Sequence, residues 1–370
     1  MNILFTCGGT AGHINPAVAL ARMFQERNPG CQVLFVGAKG GKEEDLVPKE
    51  GFDLETVTIS SFRRSLSPAA IRHNLNTVRN LSVSKKEAGR ILNVFQPDLV
   101  VGTGGYASYP VVNLAARWGI PTAVHESNAV PGLTTQRLSR VTDKVMVGYE
   151  ESRAHYDDPS KVIVTGTPVR GDFFRYTRQE AREKLGLSDD RPLLVSFWGS
   201  LGAENMNTHM IDFIRQEAAQ GAPFHHIHGA GRDFQRMTEA LADTKLPPEL
   251  QVREYIYDMP LVMAAADLVL CRGGASTLSE LTAIGKPAVI VPSPYVTNHH
   301  QEKNANVLAQ QGGAVVLLEP VCTGELLYET ASRLLTDGEK RGEMAKAMAS
   351  LGVPDAAEKI YLTLRSIMKF

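Results

Sequence analysis

The stretch ILFTCGGTAGH (residues 3–13) joins a short apolar run to a glycine-rich loop, and this unit decides the fold. Residues 3–6 lack the polar–apolar alternation of a half-exposed strand, which is typical of strands buried on both faces of a parallel sheet. The glycines permit positive φ angles, and we predict a helix over residues 16–27. Because N–H groups point outward at such a turn, it favours a ligand with negative charge.

Similar strand–loop–helix units recur along the chain in two series. The first series has predicted strands at 3–6, 33–36, 54–58, 99–101, 122–125, 144–147 and 162–164. The second has them at 193–197, 225–228, 252–255, 268–271, 288–291 and 314–317. Helix-length amphipathic stretches such as 110–118 lie between them. The alternation predicts an α/β fold with two Rossmann-like, doubly wound parallel-sheet domains, 1–166 and 167–370, with packing of the last helix back on the first domain as an alternative.

Composition restricts the class of protein. The chain has 370 residues, 43% hydrophobic and 21% charged, and its net charge of −1 argues against broad nucleic-acid binding. No apolar run approaches the roughly 20 residues that cross a bilayer, and the first residues lack a signal-peptide pattern. We therefore expect a cytoplasmic protein. The scattered cysteines favour buried free thiols in a reducing compartment: Cys7, Cys31, Cys271 and Cys322.

Glycine-rich or polar loops follow nearly every predicted strand. Ligands of open parallel sheets bind beyond the carboxyl ends of the strands. We therefore expect the two domains to face each other, with both sets of loops along one interdomain cleft. A single polar side chain at the end of a strand usually has a structural role, but several at the same edge of a sheet favour a binding site. The loops GGTAGH (8–13), GTGGYAS (102–108) and HESNAVPG (125–132) supply His13, Tyr106, His125, Glu126 and Asn128.

Two loops of the second domain suit a nucleotide. WGSLGA (198–203) offers Ser200 to a phosphate. Glu280, in CRGGASTLSE (271–280), can accept two hydrogen bonds from a ribose diol, although Glu near a helix start also suits the helix dipole alone. No DxD motif follows a predicted strand, so no metal is expected, and helix N-termini with Arg170 would stabilise departing negative charge. Backbone N–H groups for phosphate are expected at Ala275, Ser276, Thr277, Leu278 and Ser279.

The ordered motifs resemble the MurG family of peptidoglycan glycosyltransferases over essentially the whole chain. GGTAGH resembles the family's GGTGGH, HESNAVPG its HEQNxxPG, GTPVR (166–170) its GNPVR, WGSLGA its GGSQGA, CRGGASTLSE its CRSGAxTxxE and HHQEKNA (299–305) its HQxxNA. The resemblance implies a GT-B fold without a cofactor. It also implies transfer of N-acetylglucosamine (GlcNAc) from UDP-GlcNAc, with inversion, to the muramyl 4-hydroxyl of undecaprenyl-linked muramyl-pentapeptide, lipid I, giving lipid II.

The resemblance also implies roles for single residues. His13 is the candidate general base, or alternatively a ligand of the acceptor diphosphate. The donor contacts implied are Arg170 and Ser200 to the diphosphate, Ile256 to the uracil, Glu280 to the ribose, Gln301 to the GlcNAc hydroxyls, and Thr10, Ala11, Gly12 and Asn128 to the sugar and phosphate. Tyr106, His125 and Glu126 would lie on the acceptor side. The chain departs from the family pattern at Ala11, Tyr109, Ser127 and Trp198, which puts the tight loop geometry in question.

A basic amphipathic stretch in the first domain suits a membrane surface. Between residues 63 and 90, seven Lys or Arg accompany one acid, Glu87, and apolar residues recur at helical spacing. Since the implied acceptor is a membrane lipid, we expect peripheral docking on the anionic cytoplasmic face of the cell membrane. Packing of the apolar stripe into the core is the alternative. The predicted patch comprises Arg63, Arg64, Ile71, Arg72, Leu75, Val78, Arg79, Lys85 and Lys86.

Other functions remain open at this point. A UDP-GlcNAc 2-epimerase shares the two-domain fold, but HESNAVPG, GTPVR and the basic stretch favour a transferase. Another lipid acceptor is possible for a diverged relative. A non-catalytic nucleotide-sugar sensor is disfavoured by His13, and a nicotinamide dehydrogenase by the absence of GxGxxG spacing.

Overall fold

The computed structural model describes residues 1–60, 67–199 and 202–369, with the backbone alone at residues 11, 68–71, 73–76, 78, 79 and 297. It divides into two compact units, Met1–Val169 with Val353–Phe370, and Arg170–Gly352. The division falls close to the predicted one at residues 166 and 167. Residues 353–370 belong with the first unit, which was the alternative for the last helix.

The first unit contains a parallel sheet with helices on both faces. Its strands are β1 (Asn2–Thr6), β2 (Gln32–Ala38), β3 (Asp53–Val57), β4 (Leu99–Gly102), β5 (Thr122–Glu126), β6 (Lys144–Val147) and β7 (Val162–Val164). Its helices are α1 (Ala11–Arg27), α2 (Glu43–Lys49), α3 (Pro68–Phe95), α4 (Ser108–Arg117) and α5 (Leu133–Leu138). Among the described residues the strand order is β3-β2-β1-β4-β5-β6-β7.

The second unit repeats this architecture. Its strands are β8 (Leu193–Phe197), β9 (His225–Gly229), β10 (Leu250–Arg253), β11 (Leu268–Cys271), β12 (Ala288–Ile290) and β13 (Ala314–Val316). Its helices are α6 (Arg178–Lys184), α7 (Glu204–Ala219), α8 (Phe234–Ala240), α9 (Met259–Ala265), α10 (Ala275–Ala283), α11 (His300–Gln310), α12 (Gly324–Thr336) and α13 (Gly338–Leu351). In the described part of the chain the strand order is β10-β9-β8-β11-β12-β13. Both orders reverse beside the first strand of the series, so the predicted doubly wound fold is confirmed.

The shorter elements complete the two units. Helix α14 (Ala356–Ile367) returns to the first unit. Short 3-10 turns occur at Glu150–His155, Pro159–Lys161, Gly171–Phe174, Gly231–Asp233, Thr297–His299 and Glu319–Val321. Within the described residues, no helix is long and apolar enough to cross a membrane.

The predicted strands occur with small shifts at their ends, but the start of α1 was predicted wrongly. We expected residue 16 because proline favours the first turn of a helix. The helix instead begins at Ala11 and contains Pro16, which lacks an N–H donor, in its interior. The earlier start matters because it places Gly12 and His13 in the first helical turn.

Strand β1 explains why the apolar runs show no alternation. Ile3 and Phe5 pack into a hydrophobic cluster with α1 and α14, whereas Leu4 packs into a second cluster with α3 and α4. Successive side chains of a strand point to opposite faces, so both faces of this sheet are buried. All four cysteines are buried and free, as predicted.

Helix α14 packs against α1. The rings of Phe24 and Tyr361 lie 4.8 Å apart between centroids. Asn28 donates a hydrogen bond to the Tyr361 hydroxyl at 3.2 Å, and Arg27 forms an ion pair with Glu358. The C-terminal segment therefore completes the core of the first unit.

A buried polar network lies in the sheet of the second unit. Ser196 Oγ is 2.7 Å from both His226 Nε2 and His228 Nδ1. His226 Nδ1 is 2.7 Å from a carboxylate oxygen of Glu217, which is fully buried on α7. Burial lowers the pKa of His228 to about 3, so that ring is neutral at pH 7. Ser196 therefore bridges two buried imidazoles.

Candidate active site

The loop after β1 positions His13 at the start of α1. Gly9 has φ +86°, in the left-handed region that favours glycine. The turn brings His13 Nδ1 to 2.7 Å from the carbonyl oxygen of Gly8. A carbonyl oxygen can only accept, so Nδ1 carries the proton and Nε2 keeps a lone pair. The imidazole is therefore held in the tautomer that can take a proton at Nε2.

The loop after β4 lies against the same imidazole. Gly104 has φ +107°, and a Cβ atom added there would lie 2.7 Å from His13 Cδ2. Thr103 Oγ1 donates to the main-chain oxygen of His13 at 2.7 Å. Tyr106 is half-buried, with its ring beside Gly9. Because β1 and β4 are neighbouring strands, the first two predicted loops meet at His13.

The loop after β5 is organised by two buried side chains. His125 is fully buried, its Nε2 donates to the Gly166 carbonyl at 2.9 Å, and burial lowers its pKa. Glu126 accepts hydrogen bonds from the Asn128 side chain at 2.8 Å and from the Gly132 N–H at 3.0 Å. These contacts shape the loop, and the assignment of His125 and Glu126 to the acceptor side stays a prediction.

The remaining predicted residues of the first unit lie around the start of α1. Thr10 is exposed and its side chain makes no capping bond to the helix. Ala11 and Gly12 lie in the first turn of the helix. The side chain of Ala11 is outside the described residues. Tyr109 packs against a hydrophobic cluster, so this departure from the family pattern is accommodated.

Glu43 is a residue of this site that sequence reasoning missed. It is fully buried on α2, directly beneath the glycine loop, and its Oε1 accepts a hydrogen bond from the N–H of Gly9. A signal was present in the sequence, because Gly37 lies near the end of β2 and Gly40 and Gly41 follow that strand. That run is a third glycine-rich loop at a strand end.

In the second unit, the start of α10 and Glu280 form the predicted nucleotide site. Burial raises the pKa of Glu280 to about 7, and the nearby Arg170 opposes this shift. Ser276 Oγ is buried without a hydrogen-bond partner among the described residues. Leu278 is fully buried, so it offers only its backbone. Ser279 bonds back to Ala275 at 2.9 Å, whereas Thr277 is half-buried.

Two further predicted donor contacts lie on other loops of the second unit. Ile256 is buried against Gly229, whereas its sequence neighbours Tyr255 and Tyr257 are exposed. Gln301 uses Oε1 to accept from the Ser293 N–H at 2.9 Å. The Nε2 group of Gln301 is the part of this side chain that can donate a hydrogen bond to a ligand. The predicted phosphate ligand Ser200 lies outside the described residues.

A cavity of about 420 Å³ opens beside Gln301 and is lined also by Trp198, Arg272 and Glu319. This volume suits a small ligand. Arg272 and Glu319 form a buried ion pair at 2.6 Å, which sequence reasoning missed. The buried Trp198 ring lies 6.0 Å from the Arg272 guanidinium, so its side chain fills space where the family has glycine.

The basic stretch lies on and before α3. Arg72, Lys85 and Lys86 are exposed, whereas Arg90 pairs with Glu55 at 2.7 Å. Leu81 packs against the core, as the alternative interpretation expected. Outside the described residues lie Arg63 and Arg64 and the side chains of Ile71, Leu75, Val78 and Arg79.

Comparisons with known proteins cover both units. The glycosyltransferase family 28 N-terminal domain matches residues 3–147, and the C-terminal domain of that family matches residues 193–360. A UDP-N-acetylglucosamine--N-acetylmuramyl-(pentapeptide) pyrophosphoryl-undecaprenol N-acetylglucosamine transferase from Acetivibrio thermocellus is 42% identical over 370 residues, which is 100% of this chain and 99% of the relative.

Solved structures extend the comparison. MurG of Acinetobacter baumannii is 27% identical with a TM-score of 0.77, over 99% of each chain. A UDP-GlcNAc 2-epimerase from Neisseria meningitidis, solved with UDP-GlcNAc bound, is 17% identical with a TM-score of 0.64, over 99% of this chain and 100% of that one. At that identity the epimerase shares the fold alone. Because the transferase match extends over the full length at 42% identity, this chain belongs to the MurG family of N-acetylglucosaminyltransferases, within glycosyltransferase family 28.

Proposed function

We propose that this protein transfers GlcNAc from UDP-GlcNAc to the muramyl 4-hydroxyl of lipid I, giving lipid II for peptidoglycan synthesis. Full-length relatives named for this transfer support the proposal. The hydroxyl oxygen attacks the anomeric carbon, the bond to UDP breaks, and the configuration inverts. UDP leaves with the electron pair of the broken bond, so the reaction needs a base for the hydroxyl and stabilisation for the leaving group.

The base in this mechanism is His13, and the contact of its Nδ1 with the Gly8 carbonyl oxygen is the observation that carries the proposal. Nδ1 is committed to Gly8 O at 2.7 Å, so Nε2 takes the hydroxyl proton. A positioned base contributes about 10²–10⁴-fold to the rate. In the alternative role, His13 would donate a hydrogen bond to the acceptor diphosphate, and its loss would raise KM for the acceptor instead.

The donor belongs to the second unit, Arg170–Gly352, and the acceptor to the first unit. The N-terminus of α10 and Arg170 would stabilise the charge that develops on UDP without a metal ion. Glu280 accepts from the ribose hydroxyls, and the Gln301 amide donates to a GlcNAc hydroxyl.

Release of UDP from UDP-GlcNAc, with and without a lipid I analogue, tests the proposal. We expect release that requires the analogue. With His13→Ala we expect kcat to fall about 10²–10⁴-fold while donor affinity is unchanged. Wild-type protein that binds the donor but releases no UDP would support a sensor instead. A UDP-sugar epimer formed from UDP-GlcNAc alone would support an epimerase.

The same proposal places the protein peripherally at the anionic cytoplasmic face of the cell membrane. The exposed Arg72, Lys85 and Lys86 support it, because basic side chains near an anionic surface are each worth about 1 kcal/mol. Binding to vesicles containing anionic lipid should weaken with salt and with Lys85→Gln/Lys86→Gln. The matched control, Lys245→Gln/Lys346→Gln, changes two exposed lysines of the second unit and should bind normally. Equal binding to neutral and anionic vesicles would contradict a role of this basic stretch in membrane binding.

A further inference from the structure

The peptide group between Gly8 and Gly9 is held at both ends by ionisable side chains. Its N–H, which belongs to Gly9, donates to Glu43 Oε1. Its carbonyl oxygen, which belongs to Gly8, accepts from His13 Nδ1 at 2.7 Å. One peptide group therefore connects a carboxylate to the imidazole that the proposed function uses as a base.

The space around Glu43 is made by glycines from separate segments. A Cβ atom added at Gly8 would lie 3.3 Å from Glu43 Oε1, and one at Gly37 would lie 2.7 Å from Glu43 Cβ. At Gly41 an added Cβ would overlap Glu43 Oε2. A side chain at Gly41 would overlap the carboxylate, one at Gly37 would overlap the stem of Glu43, and one at Gly8 would be a tight fit, so the glycines leave room for Glu43.

Burial of the Glu43 side chain without a partner costs folding free energy, which is common for groups that serve a function. Glu43 is 0% exposed, it forms no ion pair with any described residue, and its Oε2 has no hydrogen-bond partner among them. An unpaired buried carboxylate destabilises a fold, and a neutral glutamine would supply the same acceptor to Gly9 with a smaller penalty. Holding the glycine loop in place through the Gly9 N–H therefore does not by itself require a carboxylate.

Three other titratable groups near this pair carry no charge at pH 7. Burial raises the pKa of Cys7 and of Tyr106, and Glu43 adds to both shifts. Burial lowers the pKa of His125, which lies near His13. The imidazolium that forms during transfer therefore faces neutral neighbours on these three sides.

We propose that Glu43 is a positioning residue that supports His13 through the Gly8–Gly9 peptide. A carboxylate at the N–H end of an amide polarises it, which increases the negative charge on the carbonyl oxygen. That oxygen then holds the Nδ1–H of His13 more strongly, most of all when Nε2 has taken the acceptor proton. Nδ1 keeps its own proton, and no proton crosses the peptide. The role resembles that of a carboxylate which orients a catalytic histidine, with a peptide interposed.

The inference rests on the proposed role of His13, and Glu43→Gln tests it because the variant keeps the shape and the acceptor. We expect kcat to fall about tenfold with KM for UDP-GlcNAc unchanged, a smaller loss than for direct removal of the base. The control is Glu44→Gln, at an exposed neighbour that accepts from the Gly40 N–H at 2.9 Å, and it should keep wild-type kcat.

A double variant separates support of His13 from general stabilisation. If Glu43 acts through His13, then Glu43→Gln should cost nothing further in a His13→Ala background. A similar tenfold loss in that background, or wild-type kcat in Glu43→Gln, overturns the inference.

Nuclear magnetic resonance of ¹⁵N-histidine-labelled protein gives a readout that needs no turnover. We expect the His13 Nδ1–H proton at low field in the unsubstituted protein, and at higher field in Glu43→Gln but not in Glu44→Gln. If the His13 Nδ1–H proton of the unsubstituted protein has the chemical shift of an ordinary imidazole, the inference is overturned, even if Glu43→Gln fails to fold. If this response is present but lipid I stimulates no UDP release, the proposed function fails while the Glu43–peptide–His13 connection stands.

Discussion

Donor binding should depend on pH through Glu280. This side chain lies on α10, and burial raises its pKa to about 7, with Arg170 opposing the shift and Asp172 adding to it. A carboxylate can accept hydrogen bonds from both ribose hydroxyls, whereas the protonated acid loses part of that capacity. Acidification below pH 7 should therefore weaken binding of UDP-GlcNAc.

The size of the effect follows from the pKa. With a pKa of about 7, roughly nine-tenths of Glu280 is ionised at pH 8 and roughly one-tenth at pH 6. If only the ionised form binds the ribose, the dissociation constant rises about tenfold between pH 8 and pH 6, equivalent to about 1.4 kcal/mol. The donor itself has no titrating group in this range.

Isothermal titration of UDP-GlcNAc between pH 6 and pH 8 measures the effect without turnover. Glu280→Gln should bind more weakly at pH 8 and show no dependence on pH. Glu329→Gln, at an exposed position of the same unit, should keep the wild-type slope. A constant wild-type affinity, or a slope that persists in Glu280→Gln, would refute the assignment of Glu280 to the ribose.

Three other substitutions test contacts inside the first or the second unit. Ser196→Ala removes the bridge between two buried imidazoles and leaves a polar atom of each unpaired, so we expect a loss of about 2–4 kcal/mol in urea unfolding. A loss under about 1 kcal/mol would show that the rings find other partners. Gly104→Ala should displace His13, because the new Cβ would lie 2.7 Å from the ring; kcat should fall more than tenfold, while the donor contacts of Glu280 and Gln301 in the other unit remain and UDP-GlcNAc still binds. A normal kcat contradicts that placement of the imidazole. Tyr361→Ala removes the ring that contacts Phe24 and should lower the stability of the first unit by about 3 kcal/mol, measured by calorimetry. An unchanged melting transition would show that this ring contact does not stabilise the unit.

Most of the fold was predictable because strands buried on both faces leave continuous apolar runs. Strands β6, β7, β8 and β11 begin and end where the sequence indicates. The errors lie at element ends, where local preference competes with tertiary contacts. We predicted that α1 begins at Pro16, because proline is common in the first turn of a helix. The helix instead begins at Ala11, directly after the glycine loop.

The candidate site was predictable only in part. His13 could be found because it follows glycines at a strand end, and Glu280 because it follows another such turn. Glu43 could not be connected with Gly9, since the pairing of β1 with β2 brings them together from separate parts of the chain. The ion pair of Arg272 with Glu319 escaped notice for the same reason.

The sequence by itself determined two α/β domains, the glycine turns at strand ends and the identity of the family, because apolar runs, glycine placement and ordered motifs are properties of neighbouring residues. The tertiary structure alone decided which nitrogen of His13 carries the proton and which carboxylate lies beneath its loop. It also decided that residues 353–370 return to the first unit. These features depend on contacts between distant residues, whose distances and burial are set only when the sheets assemble.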